Sequence, residues 1–211
     1  MNLIDYKGNQ IRTIFRLNNN SQLVVFYPGY GYTLDAPVFF YLQEFFAQKD
    51  FDILGIDYRY NENNDFLNST DEEKDKWFQY DCNVIGKEVN SFSKTYNRIV
   101  YVGKSFGTAM LMNQLKNNLI QKKAEIIYLT PVTYGHGIYL TIQETRNRTL
   151  IVYGNADKYY NKNEIALIKD RKDTFLKEIK NAGHVFEEVG SIKQSILNLI
   201  EVINSIDSFI K

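Results

Sequence analysis

The chain has 211 residues, with 25 Lys and Arg against 25 Asp and Glu, two histidines and one cysteine. That length suits one domain, expected over residues 1–211, with a core that needs no covalent staples, and the balanced charge excludes a general nucleic-acid binder, which needs a basic surface. One cysteine excludes a disulfide framework or a thiolate-rich metal site, and two histidines leave little room for a His-rich one, although carboxylates could still bind a hard cation. No metal and no cofactor are expected, and imidazole chemistry falls to His136 or His184.

The first seven residues hold no basic segment running into an apolar one, as a signal peptide would. No apolar run approaches the roughly 20 residues that span a bilayer, so a cytoplasmic protein without membrane contact is expected. Residues 2–22 read as one or two antiparallel edge strands, with a turn at Asn18-Asn19-Asn20. Apolar runs of strand length follow at 23–27, 51–57, 99–103, 126–130 and 150–154. Each is nearly continuous rather than alternating, the pattern of strands buried on both faces. Helical spacing of apolar residues marks 36–48, 72–92, 105–121 and 192–210, and 61–76 reads as a loop leading into a helix. Strands alternating with helices predict an α/β fold: a doubly wound, mostly parallel sheet with helices on both faces.

In such a sheet ligands bind beyond the carboxyl ends of the strands. One strand end, Gly103-Lys104-Ser105-Phe106-Gly107, can be read two ways. Its Gly-Lys-Ser would be the tail of a phosphate-binding loop, but that motif needs a glycine five residues before Gly103, where Arg98 stands. The other pattern, Gly-x-Ser-x-Gly, fits Gly103, Ser105 and Gly107. A serine on a sharp strand-to-helix turn needs glycines two residues either side, because side chains there would collide.

An activated serine needs a base, and the base an orienting acid. Asp157 follows the 150–154 strand, and His184 follows a strand near 174–179 and precedes the last helix. Asp57 also ends a strand, but it precedes the serine. His136 has no acid suitably placed and reads as a loop residue beside the pocket. Cys82 lies in a helix-like stretch and reads as a core thiol, which argues against a cysteine nucleophile. Lys104 flanks the serine either as a structural ion-pair partner or as a site charge.

With Gly103–Gly107, Gly154-Asn155-Ala156-Asp157 and Ala182-Gly183-His184 in this order, the sequence resembles the α/β-hydrolase superfamily from about residue 23 to its end. The resemblance implies Ser105 as nucleophile, His184 as general base and Asp157 as the residue that holds the imidazole. It also implies an oxyanion hole from the backbone N–H of Phe106 and of Tyr30, in the loop after the 23–27 strand. Family members often carry His-Gly in that loop, where this chain has Pro28-Gly29. Lid domains of the family are commonly inserted where this chain has only 131–149, so no cap domain is expected. Tyr30, Tyr32, Tyr58, Tyr60, Tyr134, Tyr159 and Tyr160 fall in strand-end loops as a candidate aromatic rim, with Tyr32, Tyr134, His136 and Tyr159 the nearest to a substrate. The expected activity is hydrolysis of a small acyl substrate, an ester or else a thioester or amide. Acyl transfer by the same triad and a catalytically silent binding protein are the alternatives.

Overall fold

The computed structural model, which describes residues 1–132 and 137–211, places seven strands in one sheet. In chain order they are β1 (Arg12–Arg16), β2 (Gln22–Tyr27), β3 (Phe51–Asp57), β4 (Arg98–Lys104), β5 (Glu125–Leu129), β6 (Thr149–Gly154) and β7 (Thr174–Ile179). Their order across the sheet is β1-β3-β2-β4-β5-β6-β7. Only β1 runs antiparallel, with Arg12 opposite Asp57; the remaining pairs are parallel. The fold is therefore α/β with a doubly wound, mostly parallel sheet.

The continuous apolar runs do what their pattern predicts. Every residue of β3, β5 and β6 is buried. Neighbouring residues of one strand point to opposite faces. Thus Tyr101 joins Tyr27, Tyr128, Trp77 and Met110 in one core layer, while Val100 and Val102 join Phe26, Phe39, Val202 and Ile206 in the other. The first layer is covered by α3 (Asp71–Phe92), α4 (Phe106–Lys116) and α5 (Gly137–Glu144), and the second by α1 (Pro37–Ala47) and α7 (Ile192–Ile210), with the short α6 (Lys162–Ala166) between β6 and β7.

Three stretches differ from the sequence reading. The loop expected at 61–76 contains a short helix, α2 (Asn64–Asn68), capped by the Asn63 side chain accepting from Phe66 N at 3.1 Å. α3 begins at Asp71 behind a reciprocal capping box, in which Thr70 and Glu73 each bond the other's backbone N–H at 3.2 Å. The helix expected over 105–121 stops at Lys116, because Asn118 turns left-handed (φ 55°). Between β5 and β6 the described residues hold only α5, with no cap domain.

Tyr58 and Tyr60 belong to the core, not to a rim: they are 7% and 1% exposed. Their hydroxyls found buried acceptors, Tyr58 on the Pro28 carbonyl and Tyr60 on Asp81 Oδ2 at 2.7 Å. Asp81, on α3, also accepts from Tyr6 N at 3.1 Å. Burial pushes its carboxyl up to about 7, against the lowering effect of these bonds. A folded-state pKa above the unfolded one means that the fold holds a proton which the unfolded chain has released. Stability from this group is therefore full below about pH 4 and declines as pH rises toward 7. Asp81→Asn, which mimics the protonated acid, should raise the melting temperature at pH 8, raise it less at pH 5, and leave it nearly unchanged below about pH 4. Equal shifts at all three pH values would contradict this.

Candidate active site

The site is built where β4 turns into α4. Ser105 sits at φ 50° and ψ −116°, a conformation that L-residues rarely adopt. Its N–H donates to Leu129 O at 3.0 Å, which ties the turn to β5. The flanking glycines are required by space. A Cβ on Gly103 would lie 2.7 Å from Gly107 O, and one on Gly107 would lie 2.7 Å from Pro28 O and nearer still to Tyr27 O. α4 thus presses its first turn directly onto the end of β2.

The loops that carry Asp157 and His184 are joined by hydrogen bonds. Ala156 N donates to Ala182 O at 3.1 Å, and Asn181 N to the Asn155 side chain at 2.7 Å. Gly154 permits this closeness, since a Cβ there would lie 2.6 Å from the Ala182 carbonyl carbon. As a result Asp157 and His184 meet: Asp157 Oδ2 lies 2.7 Å from His184 Nδ1, and His184 Nε2 lies 2.7 Å from Ser105 Oγ. The other carboxylate oxygen accepts from Tyr159 N at 2.9 Å. The Asp157 side chain is 2% exposed and that of His184 23%. With its proton on Nδ1, the imidazole donates to Asp157 and leaves Nε2 to accept from the Ser105 hydroxyl. Asp57 instead pairs with Arg59, Oδ2 to Nε at 2.9 Å.

Phe106 opens α4, so its N–H has no carbonyl of its own helix to bond, and the helix dipole adds positive potential there. The loop after β2 closes by Gly29 N donating to Tyr32 O at 3.2 Å. Gly29 lies against the Ser105 side chain, and Tyr30 faces Phe106 with ring centroids 6.0 Å apart.

Two clefts meet at Ser105, and Tyr30 and Tyr159 line both. One, of about 540 Å³, contains His184, Glu187, Lys104, Lys158 and Tyr32. The other, of about 720 Å³, is lined by Phe66, Phe78, Phe106, Met112 and Val132 and does not include His184. Tyr159 sets its ring edge-on to the imidazole at 4.9 Å. The Tyr32 hydroxyl accepts from Val38 N at 3.0 Å, and Tyr32 lines the first cleft. Tyr160 stacks on Tyr153 at 5.1 Å. Tyr134 and His136 lie outside the described residues. Cys82 is buried with its sulfur 3.0 Å from Met110 Sδ, and burial pushes its thiol pKa up.

Phe66, Phe78, Met112 and Glu187 escape the sequence reading. No motif marks them, and Phe78 reaches the cleft only because α3 packs beside α4, where its ring meets Phe106 at 5.1 Å. Among the described residues no three His, Cys, Asp or Glu side chains converge as a metal site would require. No described helix is long and apolar enough to cross a membrane.

No protein-family model matches the sequence, and no curated protein matches it. Solved structures do match in fold. A serine hydrolase without a lid from Xanthomonas campestris superposes with a TM-score of 0.68 at 12% identity, over 100% of this chain and 92% of that one. An esterase from Pyrococcus furiosus gives 0.70 at 13%, over 99% and 90%. Est1E from Butyrivibrio proteoclasticus, solved with ferulic acid bound, gives 0.67 at 15%, over 100% and 99%. This chain has the α/β-hydrolase fold.

Proposed function

We propose that this protein is a serine hydrolase that cleaves a carboxylic ester of a small substrate through an acyl-enzyme on Ser105. The observation that carries the reading is the unbroken path Asp157–His184–Ser105, two contacts of 2.7 Å ending on a serine held at a strand-to-helix elbow. His184 Nε2 takes the hydroxyl proton as Ser105 Oγ attacks the carbonyl carbon. Asp157 remains a carboxylate and stabilises the imidazolium. The N–H groups of Phe106 and Tyr30 receive the developing oxyanion, a term worth about 3 kcal/mol for each well-aimed donor. His184 then gives its proton to the departing alkoxide, and a water activated by the same imidazole releases the acid. Thioesters and amides present the same carbonyl to the same groups.

The proton donor also orients the substrate. The leaving group must reach His184, so it occupies the polar cleft beside Glu187 and Lys158. The acyl group takes the direction left open, into the cleft ringed by Phe66, Phe78 and Phe106. Aromatic walls favour an aromatic or extended apolar acyl group, and the ferulic acid bound to Est1E fits that preference.

The test is a fluorophosphonate probe followed by peptide mapping. Wild type should carry one adduct on Ser105, and folded Ser105→Ala none. A wild type without that adduct would overturn the reading. In a panel of activated esters, aromatic acyl groups should be turned over faster than acetyl.

A further inference from the structure

Lys104 is the last residue of β4 and the immediate neighbour of Ser105, yet the chemistry above does not use it. It shares a sheet face with Val100 and Val102, and none of its surface is exposed. A buried ammonium ordinarily takes a carboxylate partner. Here no described carboxylate lies within ion-pair distance of Nζ. Instead Nζ donates to Thr130 Oγ1 at 3.1 Å and to the His184 carbonyl at 2.9 Å, and lies 4.4 Å from the Tyr32 ring centre. One amine thus ties together the ends of β4 and β5, the loop after β2 and the loop that carries the imidazole. Thr130 is itself unusual, a β-branched residue at φ 42°.

We propose that Lys104 is a positioning residue, which pins the main chain of His184 to the nucleophile strand and places a charge beside the Asp157–His184 pair. This rests on the reading of Ser105 and His184 as nucleophile and base. His184 is then held at three points: its carbonyl by Lys104, Nδ1 by Asp157 and Nε2 by Ser105. Three anchors leave the imidazole neither a slide nor a ring flip that keeps Nε2 on the serine.

The charge acts separately from the hydrogen bonds. The groups that face the amine are Asp157 after β6, Glu187 and His184 after β7, and Tyr32 after β2. Burial lowers the Lys104 pKa to about 7, with Asp157 and Glu187 opposing the fall. Below that pH the ammonium disfavours a second positive charge on the imidazole. Above it the neutral amine keeps two N–H donors, enough for both acceptors, and the repulsion is gone.

The experiment is the pH dependence of kcat/KM in wild type, Lys104→Met and Thr130→Val, with fluorophosphonate labelling in parallel. Lys104→Met should lose about 10²-fold at pH 7, the scale of a small misplacement of a catalytic group. Its profile should also lose the inflection near pH 7 that Lys104 contributes in wild type, because methionine carries no charge. Thr130→Val keeps the lysine but removes one acceptor of its charged form. It should lose activity several-fold and shift the inflection near pH 7 downward, and it decides the matter alone if Lys104→Met does not fold. Profiles that superimpose on wild type after scaling would reduce Lys104 to a packing role and overturn the proposal. A wild type that takes no label on Ser105 would instead remove the nucleophile reading, and this inference with it.

Discussion

Replacing His184 with alanine should lower kcat/KM toward an alkyl ester by about 10⁶-fold, equivalent to roughly 8 kcal/mol of transition-state stabilisation. In the proposed mechanism the imidazole acts twice, taking the proton of Ser105 and delivering it to the leaving oxygen, and His184 Nε2 stands 2.7 Å from Ser105 Oγ. Asp157→Asn should be milder, about 10⁴-fold, since an amide still occupies the space but favours the wrong tautomer and withdraws the charge that stabilises the imidazolium. Steady-state kinetics on the two variants, with circular dichroism to verify folding, give the ranking. A His184→Ala protein within tenfold of wild type would remove His184 from the chemistry. An Asp157→Asn protein as damaged as His184→Ala would mean that the acid does more than orient.

Gly107→Ala should cost about 3 kcal/mol of stability or more and lower kcat/KM at least 10²-fold. Two effects compete. Alanine is the better helix former by about 1 kcal/mol, and position 107 lies in the first turn of α4, so propensity alone predicts stabilisation. Against this, the added Cβ would lie 2.6 Å from the Tyr27 carbonyl carbon and 2.7 Å from Pro28 O. Relieving that overlap requires α4 to retreat about 1 Å from β2. These are backbone atoms of a central strand that cannot rotate away, so overpacking wins, at or beyond the usual range of about 1–3 kcal/mol. Ser105 and the Phe106 amide move with the helix, and about 1 Å at the reacting group is enough for the loss in rate. The melting temperature should fall by roughly 6–12 °C. Gly31→Ala is the control: its Cβ would meet nothing nearer than Asn61 Nδ2 at 4.0 Å, and it should melt like wild type. A Gly107→Ala protein that melts with the control would refute the steric account.

Several features were legible because their causes are local. Residues 51–57 read as a doubly buried strand since seven consecutive side chains, five of them apolar or glycine, suit no surface element, and β3 has those limits. Ser105 stood out because two glycines frame it, and each is explained by a backbone carbonyl that a Cβ would strike. The α3 cap was equally legible, as Thr70 and Glu73 form the box three residues apart, and the sequence reading passed over it in favour of the polar composition of 61–76. The left-handed turn at Asn118 carries a weaker signal, because asparagine in that run is common and only its packing selects one position to end the helix.

The sequence by itself determined the sheet, the elbow and the chain order Ser105, Asp157, His184, because periodicity, steric need for glycine and strand-end placement are written within a few neighbouring residues. Only the tertiary structure decided which tyrosines face the cleft, since Tyr58 and Tyr60 turned inward once Pro28 O and Asp81 offered buried acceptors. It alone decided what Lys104 touches, because its partners Thr130, Tyr32 and His184 lie 26, 72 and 80 residues away along the chain. A side chain's local pattern says which way it points. Its partners, and hence its protonation and its role, depend on what the other strands deliver to the same edge of the sheet.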